Sequence, residues 1–333
     1  MKIGFHGIHC GIRGTTNSCF DYATYAQEIL GYEAVMLWAK NYDGMEHPRM
    51  FQMIKDSSID YFKVDHYEDT KELDKVCKDL GLDILYIIKS GDNDGVVSSV
   101  CPTAIHAVFG PHATGQHGQS WAYVSKFLSD RHGGSPAVPY VPHMIVLPEP
   151  LNDIRKDWGI PADARVIGRH GGYTQFDCGH AHQAVDDVLE QSDDIWFLFL
   201  NTQRFGRAHP RKIFLPASAD RQFKADYVEA SDAMLHARTE GETFGIACGE
   251  FSIRNKPIFM MERQQAWHHL SVLTEPSGKT NCYRFGSREE LTKQLLAFDP
   301  GQAKTGTWDA YKQFTPDKVM PIFNEIFIQG AMP

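Results

Sequence analysis

The sequence predicts an α/β protein of two domains, each with an open parallel sheet covered by helices. Three observations predict this. Short apolar runs alternate with helical stretches, which is the pattern of strands joined by crossover helices. The alternation stops at a proline-rich segment and then starts again. The chain has 333 residues, enough for two hydrophobic cores. We therefore expect two sheets that face a cleft between the domains.

The first half carries the signals of five strands and two helices. Ile84–Ile88 is a continuous apolar run, as expected of a parallel strand buried on both faces. Thr16–Leu30 places apolar and aromatic residues at helical spacing. The predicted set is strands Lys2–His6, Ala34–Ala39, Tyr61–Val64, Ile84–Ile88 and Ala104–Phe109, with helices Thr16–Leu30 and Asp69–Leu80.

A dense group of prolines separates the two halves. Proline has no amide hydrogen and disrupts helix interiors and central strands, so this stretch is neither. Its members are Pro136, Pro139, Pro142, Pro148 and Pro150. We place the domain crossover here, with a first domain at residues 1–148 and a second at residues 149–307.

The second half repeats the alternation and ends in an apolar helical segment, Trp308–Ile328. This segment, about residues 308–330, either caps the second domain or crosses back and packs on the first. The other predicted helices are Asn152–Trp158, Ala181–Gln191 and one that begins near Phe244. The predicted strands are Arg165–Gly168, Ile195–Leu200, Lys212–Leu215, Ala233–His236 and Pro257–Met260.

Composition narrows the function classes. Hydrophobic residues make up 42% and charged residues 23%, the balance of a soluble globular protein. The net charge of -9 argues against general nucleic-acid binding but leaves room for an anionic small ligand. No apolar run reaches about 18 residues, so we expect neither a signal peptide nor a membrane span. Seven scattered cysteines favour reduced thiols and a cytoplasmic location.

The segment from His236 to Met260 carries the strongest chemical signal. Glu242 and Glu250 lie eight positions apart, on either side of a predicted helix start. A helix start offers unpaired amide groups and a positive dipole end, which suit a diphosphate. Gly241 and Gly245 would let the backbone approach a ligand. The two carboxylates can therefore accept hydrogen bonds from hydroxyls at the two ends of one extended ligand.

This segment resembles the GT-B glycosyltransferases of the large retaining family, glycosyl transferases group 1. The family signature is Glu-Gly-Phe-Gly, a glutamate eight positions after the first, and a short strand after a proline; residues 242–257 match its spacing. Val166–Gly172 is similar to the first strand of the family's second domain, and Val141–Pro148 to its hinge entry. The resemblance covers about residues 141–262 and is architectural before that.

The resemblance implies a GT-B fold, with two Rossmann-like domains, and roles for individual residues. Glu242 would contact the transferred sugar and Glu250 the nucleotide ribose. Arg169 would hold the diphosphate, because a guanidinium fork pairs well with phosphate oxygens. The donor loop would include Thr243, Phe244, Gly245 and Ile246.

The chain departs from the family at one phosphate contact. The family has a lysine six residues after the arginine, and this chain has Gln175. Either Gln175 makes a neutral hydrogen bond, or another cation takes the lysine's place. The candidates are Arg204, Lys212 and Arg238.

Two features of the first half are also candidates. Residues 6–16 form a glycine-rich loop between a strand and a helix; the resemblance implies a donor contact at Gly14, while the alternative is a tight turn. The loop lacks the Gly-x-Gly-x-x-Gly pattern, so we infer no nicotinamide cofactor. The family also has a cleft histidine that stabilises positive charge on the sugar. We assign it to His112 over His106, and a structural histidine is the alternative.

Metal signals are weak. Asp92-Asn93-Asp94 resembles the Asp-x-Asp of GT-A transferases, but it is also an ordinary turn composition. His180 with His182, and His268 with His269, lack a third ligand at suitable spacing. We expect no bound metal.

Together these residues predict transfer of a sugar from a UDP- or GDP-sugar to a glycan or other hydroxyl acceptor, with retention and with no metal or other cofactor. Arg169 would stabilise the departing diphosphate, while Glu242 and His112 would orient the sugar. A nucleotide-sugar epimerase is the alternative within enzymes. A non-catalytic sugar-nucleotide-binding subunit is the third hypothesis, and Gln175 is its only support.

Overall fold

The computed structural model describes residues 1–110, 115–135, 137–262, 266–274 and 281–332. The chain divides into two compact units. Unit 1 is Met1–Met144 together with Phe314–Pro333, and unit 2 is Ile145–Gln313. The first division point lies a few residues before the one we placed at residue 148.

Unit 1 contains a six-stranded sheet. Its strands are β1 (Lys2–His6), β2 (Glu33–Ala39), β3 (Asp60–Val64), β4 (Ile84–Lys89), β5 (Thr103–Ala107) and β6 (Ser120–Tyr123). All neighbours are parallel, in the order β3-β2-β1-β4-β5-β6. The helices are α1 (Gly14–Glu28), α2 (Pro48–Asp56), α3 (Thr70–Leu80) and α4 (Lys126–His132). This is the doubly wound order, in which the chain leaves the sheet centre twice in opposite directions.

Unit 2 repeats that topology. Its strands are β7 (Arg165–His170), β8 (Ile195–Leu200), β9 (Lys212–Leu215), β10 (Ala233–His236), a separate β11 (Gly241–Glu242), β12 (Ile258–Met261), a separate β13 (Ala266–Trp267) and β14 (Tyr283–Phe285). The six-stranded sheet has the order β14-β12-β10-β7-β8-β9, again all parallel. The helices are α5 (Gly179–Gln191), α6 (Arg221–Ala230), α7 (Ile246–Ser252), α8 (His268–Leu273), α9 (Arg288–Ala297) and α10 (Pro300–Ala303). The predicted fold class is confirmed.

Two of the predicted helical segments have a different form in the structure, one that was expected to start at Asn152 and one at the C-terminal end. Only Lys156–Trp158 is helical, as one 3₁₀ turn, where we expected a helix from Asn152. The reason is that the Asp226 carboxylate accepts hydrogen bonds from the backbone of Leu151 and Asn152 and from the Asn152 side chain, which holds this stretch extended against α6.

The C-terminal segment is helical but broken into pieces. A 3₁₀ turn (Ala310–Phe314) precedes α11 (Pro316–Phe323), which continues as a π-helical turn (Asn324–Ile328) and a final 3₁₀ turn (Gln329–Ala331). Pro316 starts α11, where its missing amide hydrogen costs nothing. Pro321 lies inside it and cannot donate to the helix ladder, and the wider π turn follows.

The residues after Phe314 complete the core of unit 1. Phe323 stacks on Tyr22 with ring centroids 4.9 Å apart and on Phe5 at 6.1 Å. Phe327 contacts Tyr86 at 5.4 Å. All five rings are fully buried, at 0% exposure. The last residues of the chain therefore pack on the same sheet as the first.

We predict that Phe323→Ala lowers the free energy of unfolding of unit 1 by about 3–5 kcal/mol, because it leaves a cavity among aromatic rings. Met332→Ala removes a side chain that is 47% exposed and serves as the control. Thermal and urea unfolding monitored by circular dichroism measure both. A loss for Phe323→Ala no larger than that of the control would contradict this packing.

Candidate functional site

The site in unit 2 lies where its strand order reverses. β7 and β10 are neighbours, but the chain continues from them to opposite sides of the sheet. In open parallel sheets, ligands bind in the crevice outside the carboxyl ends of strands at such a switch point. β7 ends in Arg169 and His170, and β10 ends in His236. The short β11 and α7, which follow β10, add Glu242 and Glu250.

Arg169 carries a buried charge that forms no salt bridge with a carboxylate of the described residues, although Glu242 and Asp177 act on it through their charges. Its side chain donates from Nη1 to Thr202 Oγ1 at 2.7 Å and to the Asn201 carbonyl at 3.1 Å, and from Nη2 to the Gly172 carbonyl at 3.0 Å. The guanidinium also lies over the Phe176 ring, 5.6 Å from its centroid. Burial lowers its pKa to about 10, still well above neutrality. Neutral acceptors orient this cation and leave its charge available to an anion.

The loop after β7 is tied down around Arg169. Asn201 adopts a left-handed backbone conformation with φ 49°, which asparagine tolerates, and its Nδ2 donates to the Gly171 carbonyl at 2.8 Å. Gln175 Oε1 accepts from the Gly172 amide at 3.1 Å. Gln175, at the position of the family lysine, thus binds its own loop through its carbonyl oxygen.

Glu242 is held by two basic side chains. Its Oε2 accepts from Arg238 Nη1 at 2.9 Å, and its Oε1 lies 3.3 Å from His236 Nε2. Backbone pairing of β11 with β13 fixes the residue's position. Burial works against ionisation, but the hydrogen bonds and charges of His236 and Arg238 outweigh it and lower the pKa of Glu242. Glu242 therefore presents an ionised carboxylate at neutral pH.

Glu250 is more deeply buried, with 3% exposure, and has its own pair of cations. Lys224 Nζ lies 3.0 Å from Oε1, and His170 Nε2 lies 2.7 Å from Oε2. Burial again opposes the charge, and Lys224 and His170 together lower the pKa of Glu250 to about 2. A carboxylate has about four acceptor sites, so each oxygen keeps capacity for a further hydrogen bond.

The loop between the two glutamates is shaped by packing. α7 starts at Ile246, and Gly245 precedes it with φ 88°, a left-handed conformation that favours glycine. A Cβ at Gly245 would lie 3.0 Å from His269 Cβ and 3.1 Å from Tyr311 Oη. Tyr311 Oη donates to the Phe244 carbonyl at 2.7 Å. Thr243 and Ile246 are half-buried beside this fixed turn.

The three cations that could replace the lysine of the resembled family differ in their partners. Lys212 is buried and paired with Asp186 at 2.6 Å. Arg238 binds Glu242 and, at 2.8 Å, Glu240. Arg204 is exposed and lies over the Phe214 ring, 5.0 Å from its centroid. Lys212 and Arg238 are therefore already balanced by carboxylates.

The first-half candidates lie in unit 1. Gly14 is the exposed first residue of α1. In the loop before it, Ile8 has φ 60°, which is strained for a β-branched residue. His106 is fully buried, with ring nitrogens 2.6 Å from Tyr86 Oη and 2.8 Å from the Val141 carbonyl, and burial lowers its pKa to about 3. It belongs to the core. His112 lies outside the described residues.

Known structures of similar fold span the whole chain. A glycosyltransferase from Rickettsia africae aligns over 99% of this chain and 98% of its own, with a TM-score of 0.69 and 11% identity. Anabaena HepE in complex with UDP-glucose aligns over 98% of both chains, with a TM-score of 0.73 and 14% identity. The chain has the GT-B fold. No protein-family model and no curated protein sequence matches it.

The same GT-B fold occurs in a second activity class. A Listeria monocytogenes protein named as a UDP-N-acetylglucosamine 2-epimerase aligns over 100% of this chain and 98% of its own, with a TM-score of 0.61 and 13% identity. Identities of 11–13% establish the fold and leave the activity to the site.

The two carboxylates of the Asp-x-Asp candidate lie in different environments. Asp94 is engaged by Lys89 Nζ at 2.6 Å and by the Tyr67 hydroxyl at 2.8 Å, while Asp92 is exposed. In those parts of the chain, no three His, Cys, Asp or Glu side chains converge as metal ligands would. None of the helices described combines the length and the apolar character needed to cross a bilayer.

Sequence reasoning missed the partners of both glutamates. His170 follows Arg169 directly and reaches Glu250, and Lys224 reaches it from α6. His236 closes β10 and reaches Glu242. A polar residue at the end of a predicted buried strand was the available signal for His170 and His236. Lys224 carried none, because it lies 26 positions from its partner.

We predict that Glu250→Gln lowers the free energy of unfolding by about 3 kcal/mol at pH 7, since a pKa of about 2 in place of 4.5 corresponds to that stabilisation. The pKa is depressed in the folded state, so the contribution is present above pH 4.5 and is lost as the pH falls towards 2. The difference between wild type and variant should shrink over that window. Urea unfolding at pH 7, 5, 4 and 3 measures it.

The control is Glu149→Gln, because Glu149 also pairs with an arginine, Arg254, but its side chain is 84% exposed. Its effect should stay within about 1 kcal/mol and depend little on pH. A pH-independent difference for Glu250→Gln would contradict the ionised, ion-paired state of Glu250.

Proposed function

We propose that the protein is a glycosyltransferase that moves a sugar from a nucleoside diphosphate sugar to a hydroxyl acceptor. The observation that carries the proposal is the buried guanidinium of Arg169, which forms no salt bridge with a carboxylate of the described residues, at a switch point that also holds two ionised glutamates. One cation and two acceptor groups match a ligand with a diphosphate between two hydroxyl-bearing sugars. Anabaena HepE, of the same fold, is known in complex with UDP-glucose.

Each residue has a proposed role. Arg169 binds the diphosphate through its remaining donors. Glu250 accepts hydrogen bonds from the ribose hydroxyls, because Lys224 and His170 keep it ionised at any physiological pH. Glu242 accepts from hydroxyls of the transferred sugar. Gln175, Arg238, Gly14 and the loop Thr243–Ile246 remain donor-side predictions, and His112 remains a catalytic one; all of them rest on the resemblance.

The chemistry proposed for this site is electrostatic. As the bond from sugar to diphosphate breaks, negative charge grows on the departing diphosphate, and a preorganised buried cation stabilises it without solvent reorganisation. Glu242 fixes the sugar for attack by the acceptor hydroxyl. We propose retention of configuration, a UDP- or GDP-sugar donor, a glycan or other hydroxyl acceptor, and no metal requirement.

An epimerase is the second candidate, favoured by the fold shared with the Listeria protein. Incubation with UDP-N-acetylglucosamine or UDP-glucose in deuterium oxide separates the two. Solvent deuterium in the sugar ring identifies an epimerase, and transfer or slow donor hydrolysis without ring exchange identifies a transferase. Nucleotide binding with neither reaction identifies a non-catalytic subunit.

We predict that Arg169→Met weakens UDP or GDP binding about tenfold to a hundredfold, because it removes charge-assisted hydrogen bonds to the diphosphate. Binding of the free nucleoside should not change, and Arg169→Lys should recover part of the loss. Arg207→Met removes an exposed arginine paired with Glu190 and is the matched control. Isothermal titration calorimetry with the free nucleoside and with the nucleoside diphosphate measures the two affinities. An equal loss of affinity for both ligands would refute the assignment.

We predict that transfer from a radiolabelled UDP- or GDP-sugar continues in excess EDTA, because Arg169 supplies the positive charge. Asp92→Ala should then have no effect. Activity that EDTA abolishes, manganese restores and Asp92→Ala removes would instead place the diphosphate on a metal at Asp92. The anomeric configuration of the product, read by proton NMR, tests retention.

A further inference from the structure

Arg238 lies between two carboxylates. Its Nη1 donates to Glu242 at 2.9 Å and its Nη2 to Glu240 at 2.8 Å. Glu240 is 68% exposed in its side chain, whereas Arg238 is only 16% exposed. The guanidinium fork is therefore occupied on both arms, and its charge is more than balanced. By contrast, the guanidinium of Arg169 in the same unit donates its hydrogen bonds to uncharged oxygens.

The other oxygen of Glu242 faces an imidazole pair. His236 Nε2 lies 3.3 Å from Oε1, and the His236 ring packs on that of His269 with centroids 4.8 Å apart. Burial and the charges of His236 and His268 hold the pKa of His269 well below its ordinary value, so His269 stays neutral. A neutral, buried ring behind His236 fixes that imidazole on the carboxylate.

We propose that Arg238 and His236 are positioning residues for Glu242, which hold its carboxylate in one orientation toward the sugar, and that Arg238 does not bind the diphosphate. This rests on the proposed function for the identity of the ligand. A glutamate side chain has several rotatable bonds, and hydrogen bonds to both oxygens select one arrangement. Each oxygen keeps a lone pair for a sugar hydroxyl.

The other groups near Glu242 cannot take over the contacts that Arg238 and His236 make with its carboxylate. Those that face it are Arg169 from β7, His236 from β10, Arg238, Cys248 from α7, His269 from α8 and Tyr311. Burial raises the pKa of Cys248 and of Tyr311 well above their ordinary values, so both are neutral near pH 7. Arg169 acts on Glu242 through its charge and makes no hydrogen bond to it in the structure. Loss of Arg238 should therefore make Glu242 easier to protonate.

The first experiment reads Glu242 directly, without any donor. Side-chain ¹³C-labelled glutamate is titrated by NMR in wild type, with Glu242→Gln to assign the signal. Arg238→Gln should raise the pKa of Glu242, and Arg238→Lys should restore much of the depression. Glu240→Gln removes the exposed partner of Arg238 and should leave the pKa of Glu242 at or below the wild-type value. An unchanged titration in Arg238→Gln would overturn the positioning role.

The second experiment separates sugar from phosphate. Arg238→Gln should keep wild-type affinity for UDP or GDP yet lose on the order of 100-fold in kcat, the cost of a misplaced contact group. The acidic limb of its pH–rate profile should move to higher pH, because the ionised form of Glu242 is lost sooner. A loss of UDP affinity as large as that of Arg169→Met would overturn the proposal by making Arg238 a phosphate ligand. If wild type binds neither nucleotide, the proposed function fails, while the NMR titration still decides the contact between Arg238 and Glu242.

Discussion

The site depends on a charge that the fold buries with no direct ion pair to a carboxylate of the described residues. A guanidinium in the interior is costly unless its hydrogen bonds are made, and here two carbonyls and a hydroxyl make them. Those acceptors come from the ends of β7 and β8, so the sheet itself sets their geometry. The Tyr227 hydroxyl lies 2.7 Å from the Arg169 amide and 2.6 Å from the Leu198 carbonyl and ties α6 to both strands. Helix, sheet and loop thus converge on one cation.

The two glutamates show how the same group is tuned in two ways. Glu250 is buried with a lysine and a histidine, which lower its pKa to about 2, so that it stays ionised throughout the physiological pH range. Glu242 is 24% exposed in its side chain and lies on β11, which pairs with β13 in a separate two-stranded sheet. The first arrangement suits a constant contact that anchors part of a ligand. The second suits a group that must meet the part of a ligand that reacts.

Much of the fold could be predicted from the sequence because its strands are nearly all buried on both faces. Lys2–His6, Ile195–Leu200, Lys212–Leu215 and Ala233–His236 have the predicted limits. Short or amphipathic elements were not predicted; β6, for example, adds only four residues at the edge of the sheet. Apolar periodicity reports burial, and an element that owes its conformation to a neighbour carries little of that signal.

The site was predictable in part for a related reason. Glu242, Glu250 and Gly245 stand in a local motif, so the resemblance to the glycosyltransferase signature could single them out. Their cationic partners come from other strands and helices, and a lysine on a helix surface looks the same whether it faces water or a carboxylate. His106 illustrates the converse: it ends a strand, as a ligand-binding histidine would, yet the Tyr86 hydroxyl and a carbonyl occupy its ring nitrogens in the core.

The π turn that follows α11 constrains the number of residues in the C-terminal segment. Over Asn324–Ile328 the backbone forms a π turn, which takes about one residue more per turn than an α-helix. That extra residue sets the phase at which Phe327 reaches the Tyr86 and His106 rings. Deleting one residue here would let the ladder close as an ordinary α-helix but rotate everything beyond it by about 100°. Phe327 would then leave the aromatic cluster, so the number of residues in this stretch is constrained as well as its buried side chains.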